Sequence, residues 1–322
     1  MQTPEFWYNR EKSALSTILT PISGLYRVAG LLRNSVTNPW HSLVPILCVG
    51  NAVAGGAGKT PIAISLGRRL IERGIGVQYL TRGYGGSLSG PTRVDTKSHT
   101  YQQTGDEALL LARTAPTWVA RNRREGARAA TLDGAGIIIM DDGFQNPSIH
   151  KSVSVLVVDG AFGFGNSHLI PAGPLREPLT AALERADAVA IVGKDQAGIL
   201  AAIGNTKPVL HAQIEPGPEA DQLRGTRVMA FAGIGLPQKF FAFLRQMGCE
   251  VVETRAFADH HAYTAGEIAA LQKQAKAAGA RLVTTEKDAV RLPADARAGI
   301  AILSITVTWQ DEFAVDDMLD KL

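Results

Sequence analysis

The stretch Val49 to Ala63, VGNAVAGGAGKTPIA, sets a lysine and a threonine directly behind closely spaced glycines. Glycines let backbone N–H groups approach an anion closely, and a helix that follows aims its N-terminus at the same anion. Gly58, Lys59 and Thr60 match the end of the familiar phosphate loop G-x-x-x-x-G-K-[ST], with Val53 where the first glycine belongs. Gly55 and Gly56 supply the close approach instead, so residues Gly55, Gly56, Ala57, Gly58, Lys59 and Thr60 are the expected contacts to the β- and γ-phosphates of ATP. In that role Lys59 offsets phosphate charge and the Thr60 hydroxyl ligates Mg²⁺.

A loop of this kind needs a carboxylate at the end of a buried strand to hold the metal. GIIIMDDGFQ provides two, Asp141 and Asp142, after a run of apolar residues. Adjacent carboxylates repel unless a cation relieves them, although one of the pair also suits a turn before Gly143. Transfer to an alcohol further requires a proton acceptor. Asp106 in TGDEALLLA and the pair His260 and His261 in FADHHAYT are the candidates; Asp106 alone could equally cap the helix it opens, and an aspartate is a poor base without a partner to manage the proton.

The elements that must position these groups are legible around them. Short apolar runs, PILCVG, VQYLTRGY, TWVAR, GIIIMDD, SVLVVDG, AVAIVG and PVLHAQI, alternate with helical stretches, the first over Lys59 to about Arg73. Such alternation predicts an α/β fold with a parallel sheet, and unbroken runs such as GIIIM suit strands covered on both faces. A polar stretch, Glu215 to Arg227, interrupts the pattern. It restarts with VMAFAGI, CEVVETRAF, RLVTTEKD and IAILSITVTW, and with a helix over AGEIAALQKQAKAAGA that stops at Gly279. The expected organisation is an N-terminal helix over residues 1–35, a P-loop nucleotide-binding domain over 36–222 and a smaller α/β lobe over 223–322.

Bulk properties narrow the partners. With 33 Lys and Arg against 30 Asp and Glu, a net charge of +3 argues against nucleic-acid binding. Cys48 and Cys249 lie singly in apolar runs, as reduced core thiols do, which suits the cytosol, and the N-terminus lacks the features of a secretory signal. Phe6, Trp7 and Tyr8 and the leucines and isoleucines from Leu15 to Leu32 lie beside Arg10, Lys12 and Arg27. Pro21 and Arg27 interrupt the run too much for a bilayer span, so the segment reads as an amphipathic helix, packed either on the protein's own core or in a membrane interface.

Taken together and in this order, VGNAVAGGAGKTP, TRGYGG, GDEALLLA, DDGFQN, LIPAGPLREP, FAGIGLP, FADHHAY and TTEKDAVRL resemble the tetraacyldisaccharide 4'-kinase family over nearly all of residues 5 to 295. The resemblance implies transfer of the γ-phosphate of ATP to the 4'-hydroxyl of an acylated glucosamine disaccharide 1-phosphate in lipid A biosynthesis. In that family the loop lacks its first glycine as a rule, so Val53 is no defect. The resemblance also implies Asp106 as base, His260 rather than His261 as its partner, Lys59 and Thr60 on phosphates and Mg²⁺, and Asp141 and Asp142 at the metal. Arg82 and Arg176 become candidates for substrate or nucleotide phosphate. It implies a peripheral N-terminal helix on the cytosolic face of the inner membrane, and no protein partner is expected. Asn146 departs from the histidine usual in the family, which bears on local geometry.

Two rivals fit the loop alone. One is a kinase for a small soluble alcohol. The other is a nucleotide-switched membrane-docking ATPase, which carries a lysine where Ala54 stands here.

Overall fold

The structure, a computed structural model, describes residues 4–8 and 13–322. Arg10 and Lys12 lie outside the described residues. In chain order the strands are β1 (Ile46–Gly50), β2 (Val77–Thr81), β3 (Thr92–Arg93), β4 (Thr117–Val119), β5 (Ile137–Asp141), β6 (Val153–Asp159), β7 (Ala188–Val192), β8 (Val209–Pro216), β9 (Arg227–Ala232), β10 (Glu250–Ala256), β11 (Arg281–Thr285), β12 (Ile300–Leu303) and β13 (Ile305–Trp309). They form a nine-stranded sheet, β13-β8-β7-β6-β1-β5-β2-β4-β3, and a four-stranded one, β10-β9-β11-β12.

The large sheet is parallel apart from its edges, where β13 runs against β8 and β3 against β4. Its central strands are buried on both faces, and alternate residues serve opposite layers. Ile137 and Ile139 join the core with Leu66 and Val155, while Ile138 and Met140 join the one with Cys48 and Leu156. Covering of this kind explains the unbroken apolar runs. β1 and β5 pair with Val49 opposite Asp141, so the loop that leaves β1 and the carboxylate that ends β5 emerge side by side.

The small sheet is parallel throughout and has its own core around Phe231, Phe241 and Leu244. The helix Ala265–Ala277 opens on a capping box between Thr264 and Glu267. It ends before Gly279, whose φ of 60° is the left-handed conformation a helix stop requires.

The end of the chain departs from the expected division. IAILSITVTW reads as one strand but breaks at Ser304, whose hydroxyl bonds Glu219 and whose carbonyl accepts from Gly217 N. β12 stays in the small sheet, whereas β13 crosses back to the large one, and the helix Glu312–Leu319 follows it. That helix is tied to the helix Lys59–Glu72 by Arg69 and Arg73, which both pair with Asp316. The smaller lobe expected over 223–322 therefore gives up its last residues to the larger one.

Candidate active site

The phosphate loop leaves β1 and enters the helix Lys59–Glu72 through Gly58, whose φ of 78° is left-handed. Gly55 has φ of 121°, also in glycine's domain. The loop is held from outside by the segment LIPAGPLREP. Ala54 N donates to Pro174 O at 2.8 Å, Arg176 N donates to Ala52 O at 2.8 Å, and Val53 bridges Leu175. This outer rail takes over the fixing of the stretch where the first glycine is missing.

At the strand end the two carboxylates divide the work. Asp141 is 2% exposed and accepts from Thr60 Oγ1 at 2.9 Å, while its Oδ1 is buried with no hydrogen-bond partner. Burial, and then the charge of Asp142, push its carboxyl up to about 6. Asp142 sits one residue on with φ of 53°, pairing with Lys59 Nζ at 3.6 Å and Arg176 Nη1 at 3.2 Å. Burial opposes its ionisation, but these two cations outweigh that and hold its carboxyl below the usual range. A hydroxyl and a buried carboxylate oxygen lacking a donor form the kind of all-oxygen set that suits Mg²⁺.

The second constellation bridges the lobes. Asp106 opens the helix Asp106–Leu111 in the large lobe and is 3% exposed. His260 comes from the small lobe, in a loop after β10, with φ of 60°; its Nδ1 is 3.0 Å from Asp106 Oδ2. His261 points elsewhere, to Glu267 at 3.1 Å. Burial disfavours the Asp106 carboxylate, but the His260 hydrogen bond and the Lys287 charge outweigh it and hold the carboxyl far below the usual range. The same hydrogen bond raises His260.

Both constellations border one cleft of about 2050 Å³, lined by Gly55 to Thr60, Arg82, Asp141, Asp142, Arg176 and His260. Asp106 stands behind His260 and Glu107 rather than on the wall. Arg82 is exposed at the cleft, whereas Arg176 is committed to Asp142 and to Gln145 Oε1 at 3.4 Å. Asn146 uses its side-chain oxygen to accept from Ser148 N at 2.8 Å and so shapes the turn after β5. Two further wall residues carried no sequence-derived role. Arg123 is 4% exposed and burial lowers it to about 10, while burial and then Asp106 push Glu107 up to about 7. Glu107 stands in the first turn of a helix, where an acidic residue is the ordinary expectation, whereas Arg123 lies at a helix start, where a cation is not.

The helix Ala14–Ser35 inverts the usual amphipathic arrangement. Ser16 and Ser23, two turns apart, are buried and donate to Ala172 O and Leu169 O, each at 2.8 Å. The opposite side is apolar and open: Ile18 is 72% and Leu25 73% exposed. By length and composition alone, Ala14–Leu32 is apolar enough to cross a membrane despite Pro21 and Arg27. The serines nevertheless dock one side of it on the same segment that holds the phosphate loop.

A family model described as tetraacyldisaccharide-1-P 4'-kinase matches residues 15–322. The chain is 49% identical over 323 residues to the tetraacyldisaccharide 4'-kinase of Paramagnetospirillum magneticum, covering 100% of this chain and 99% of that one. It is 48% identical over 326 residues to the enzyme of that name from Rhodospirillum centenum, covering 100% and 97%. Among solved structures, the LpxK of Aquifex aeolicus in complex with ATP shares the fold, with a TM-score of 0.77 at 24% identity over 95% of this chain and 99% of that one.

Proposed function

The chain belongs to the tetraacyldisaccharide-1-P 4'-kinase family, and from that membership we propose how its residues carry the reaction. The enzyme is an ATP-dependent kinase of lipid A biosynthesis that moves the γ-phosphate of ATP to the 4'-hydroxyl of a tetraacylated glucosamine disaccharide 1-phosphate, forming lipid IVA.

ATP lies with its phosphates over Gly55 to Thr60, and Lys59 offsets the charge that develops on the β–γ bridge. Thr60 and Asp141 would hold Mg²⁺, which would there offset phosphate charge during transfer. Asp142 keeps Lys59 and Arg176 in place from the second rank. The acceptor hydroxyl gives its proton to the Asp106–His260 pair. Because the carboxyl is held low and the imidazole high, the proton comes to rest on His260, with Asp106 orienting the ring and stabilising its charge. Arg82 is the open cation for the anionic headgroup.

The observation that carries this reading is that a GKT loop with its strand-end carboxylates and a histidine backed by a buried aspartate border the same cleft. The outward apolar side of the helix Ala14–Ser35 supports peripheral attachment to the cytosolic face of the bacterial inner membrane, where an acylated acceptor lies. The soluble-alcohol rival offers no reason for that surface.

The test is transfer of label from γ-labelled ATP to the detergent-solubilised tetraacylated acceptor, with and without Mg²⁺, and with Lys59→Ala as control. Mg²⁺-dependent label that disappears in Lys59→Ala is the expected result. Equal labelling in Lys59→Ala would overturn the assignment of the loop.

A further inference from the structure

The His260 ring and two cations reach Asp106 Oδ2, and all three come from the small lobe. His260 Nδ1 is at 3.0 Å, and Lys287 Nζ and Arg291 Nε are each at 3.8 Å. Lys287 also donates to Glu107 Oε1 at 2.7 Å, so it grips two successive residues at the start of one large-lobe helix.

The segment that carries these cations is planted in the large lobe by more than charge. Glu286 pairs with Arg113 at 3.5 Å, and Val290 packs among Val94, Ala108, Leu109 and Val119 of the large lobe. Within its own lobe the segment is pinned by Asp288, which is fully buried. Asp288 accepts from Arg291 Nη2 at 2.7 Å, Tyr263 OH at 2.7 Å and Gly233 N at 2.8 Å. Gly233 O in turn accepts from His260 N at 3.1 Å. One buried carboxylate thus ties the arginine on Asp106 to the loop that presents His260.

Such an arrangement costs more than a hydrophobic docking surface, because Arg291 is wholly buried and its Nη1 finds no hydrogen-bond partner. Ordinary lobe adhesion needs only residues like Val290. The charged groups facing Asp106 are His260, Lys287, Arg291 and its neighbour Glu107, with Asp259 behind His260 at 3.7 Å. Lys287 and Arg291 each keep a shorter contact of their own, with Glu107 and Asp288, and from those anchors both reach Asp106.

We infer that Lys287 and Arg291 are positioning residues for the transfer, a small-lobe clamp that holds Asp106 in register with His260 so that the pair is assembled only when the small lobe is seated. The inference rests on the reading of Asp106 and His260 as proton acceptor. Lys287 and Arg291 act through that pair, not on the substrate.

The test uses the full chain with Lys287→Met, which removes charge while keeping length at a partly exposed position, and Lys287→Arg as the conservative variant. Lys287→Met is expected to lower kcat about 10- to 100-fold, the scale of a misplaced catalytic group, with the KM for ATP and for the lipid unchanged. Lys287→Arg should recover most of that loss. The Lys287 charge disfavours protonation of His260, so removing it moves the acid limb of kcat to higher pH, which general loosening of the fold would not do. In a His260→Ala background Lys287→Met should cost less than about threefold further, because groups acting as a unit are not additive.

A raised KM at unchanged kcat would overturn the inference, since Lys287 would then bind substrate, and so would fully additive losses with His260→Ala. Asp106→Ala, run in parallel, separates the failures. If it abolishes turnover while Lys287→Met is silent, the clamp fails and the acceptor pair stands. If Asp106→Ala turns over like the wild type, the pair itself is wrong.

Discussion

The two ends of the cleft are built differently. At the phosphate end, Thr60, Asp141, Asp142 and Lys59 all come from β1, β5 and the loop and helix between them, in one sheet whose register places Val49 opposite Asp141. At the proton end, Asp106 comes from the large lobe while His260, Lys287 and Arg291 come from the small one. The first end is made ready by the folding of a single sheet; the second exists only as a contact between lobes. On the proposed reading, a nucleotide site of the first kind is expected to bind ATP without the contacts that assemble the proton end. A site of the second kind makes chemistry conditional on lobe docking, which keeps a bound triphosphate from being spent on water.

The largest effect that tests this contrast is on turnover. Asp106→Ala should lower kcat by about 10²- to 10⁴-fold, the range for loss of a general base. Steady-state transfer to the lipid acceptor measures it, and near-normal turnover would remove the proton end from the account.

The next effect is on pH. In the proposed mechanism the active pair is unprotonated; the hydrogen bond from His260 to Asp106 raises His260, so the acid limb of kcat is expected above the ordinary histidine value of about 6.5. Activity rises as pH passes through the limb. Asp106→Asn takes away the stabilising charge, so any residual activity should show the limb moved to lower pH.

The phosphate end makes an opposite kind of prediction, about stability. Asp141 is buried and raised to about 6, from about 3.8. A carboxyl raised on folding contributes stability below its unfolded value that is lost as pH climbs through the folded one. In metal-free protein at pH 7.5, Asp141→Asn should therefore stabilise the fold, by about 2–3 kcal/mol from a shift of that size, while abolishing transfer. Denaturant unfolding in the presence of a chelator decides it, and a destabilised variant would mean that Asp141 is structural.

The smallest effect separates clamp from decoration. Arg113 and Glu286 also join the lobes, at 3.5 Å, but Arg113 is exposed and Glu286 partly so. Arg113→Ala should change stability by no more than about 1 kcal/mol and turnover less than twofold. A large loss would show that any inter-lobe ion pair matters, not only those that reach Asp106.

Legibility in the sequence followed the same division. The phosphate end is local: a glycine loop and a strand-end DD occupy short stretches, and runs such as GIIIM announce strands covered on both faces. The proton end is not local. Asp106 and His260 are 154 residues apart, and pairing them drew on a family resemblance rather than on any spacing. Lys287 and Arg291 sit in TTEKDAVRL, where hydrophilic residues read as solvent-facing, because periodicity carries no sign of a charge buried against a partner from another lobe. The return of β13 to the large sheet was hidden for a related reason. Ser304 alone interrupts IAILSITVTW, and which sheet completes a strand's pairing is settled by tertiary contacts. The helix Ala14–Ser35 was legible as apolar, but only its serine contacts with Leu169 and Ala172 reveal which side faces outward.

The most direct test is to measure ATP binding and phosphate transfer side by side for the wild type, Lys59→Ala and Asp106→Ala. The account predicts that Asp106→Ala binds ATP as the wild type does and transfers about 10²- to 10⁴-fold more slowly, whereas Lys59→Ala loses affinity and transfer together. Loss of ATP affinity in Asp106→Ala as large as its loss of turnover would contradict the division of the cleft into a single-lobe nucleotide end and a two-lobe proton end.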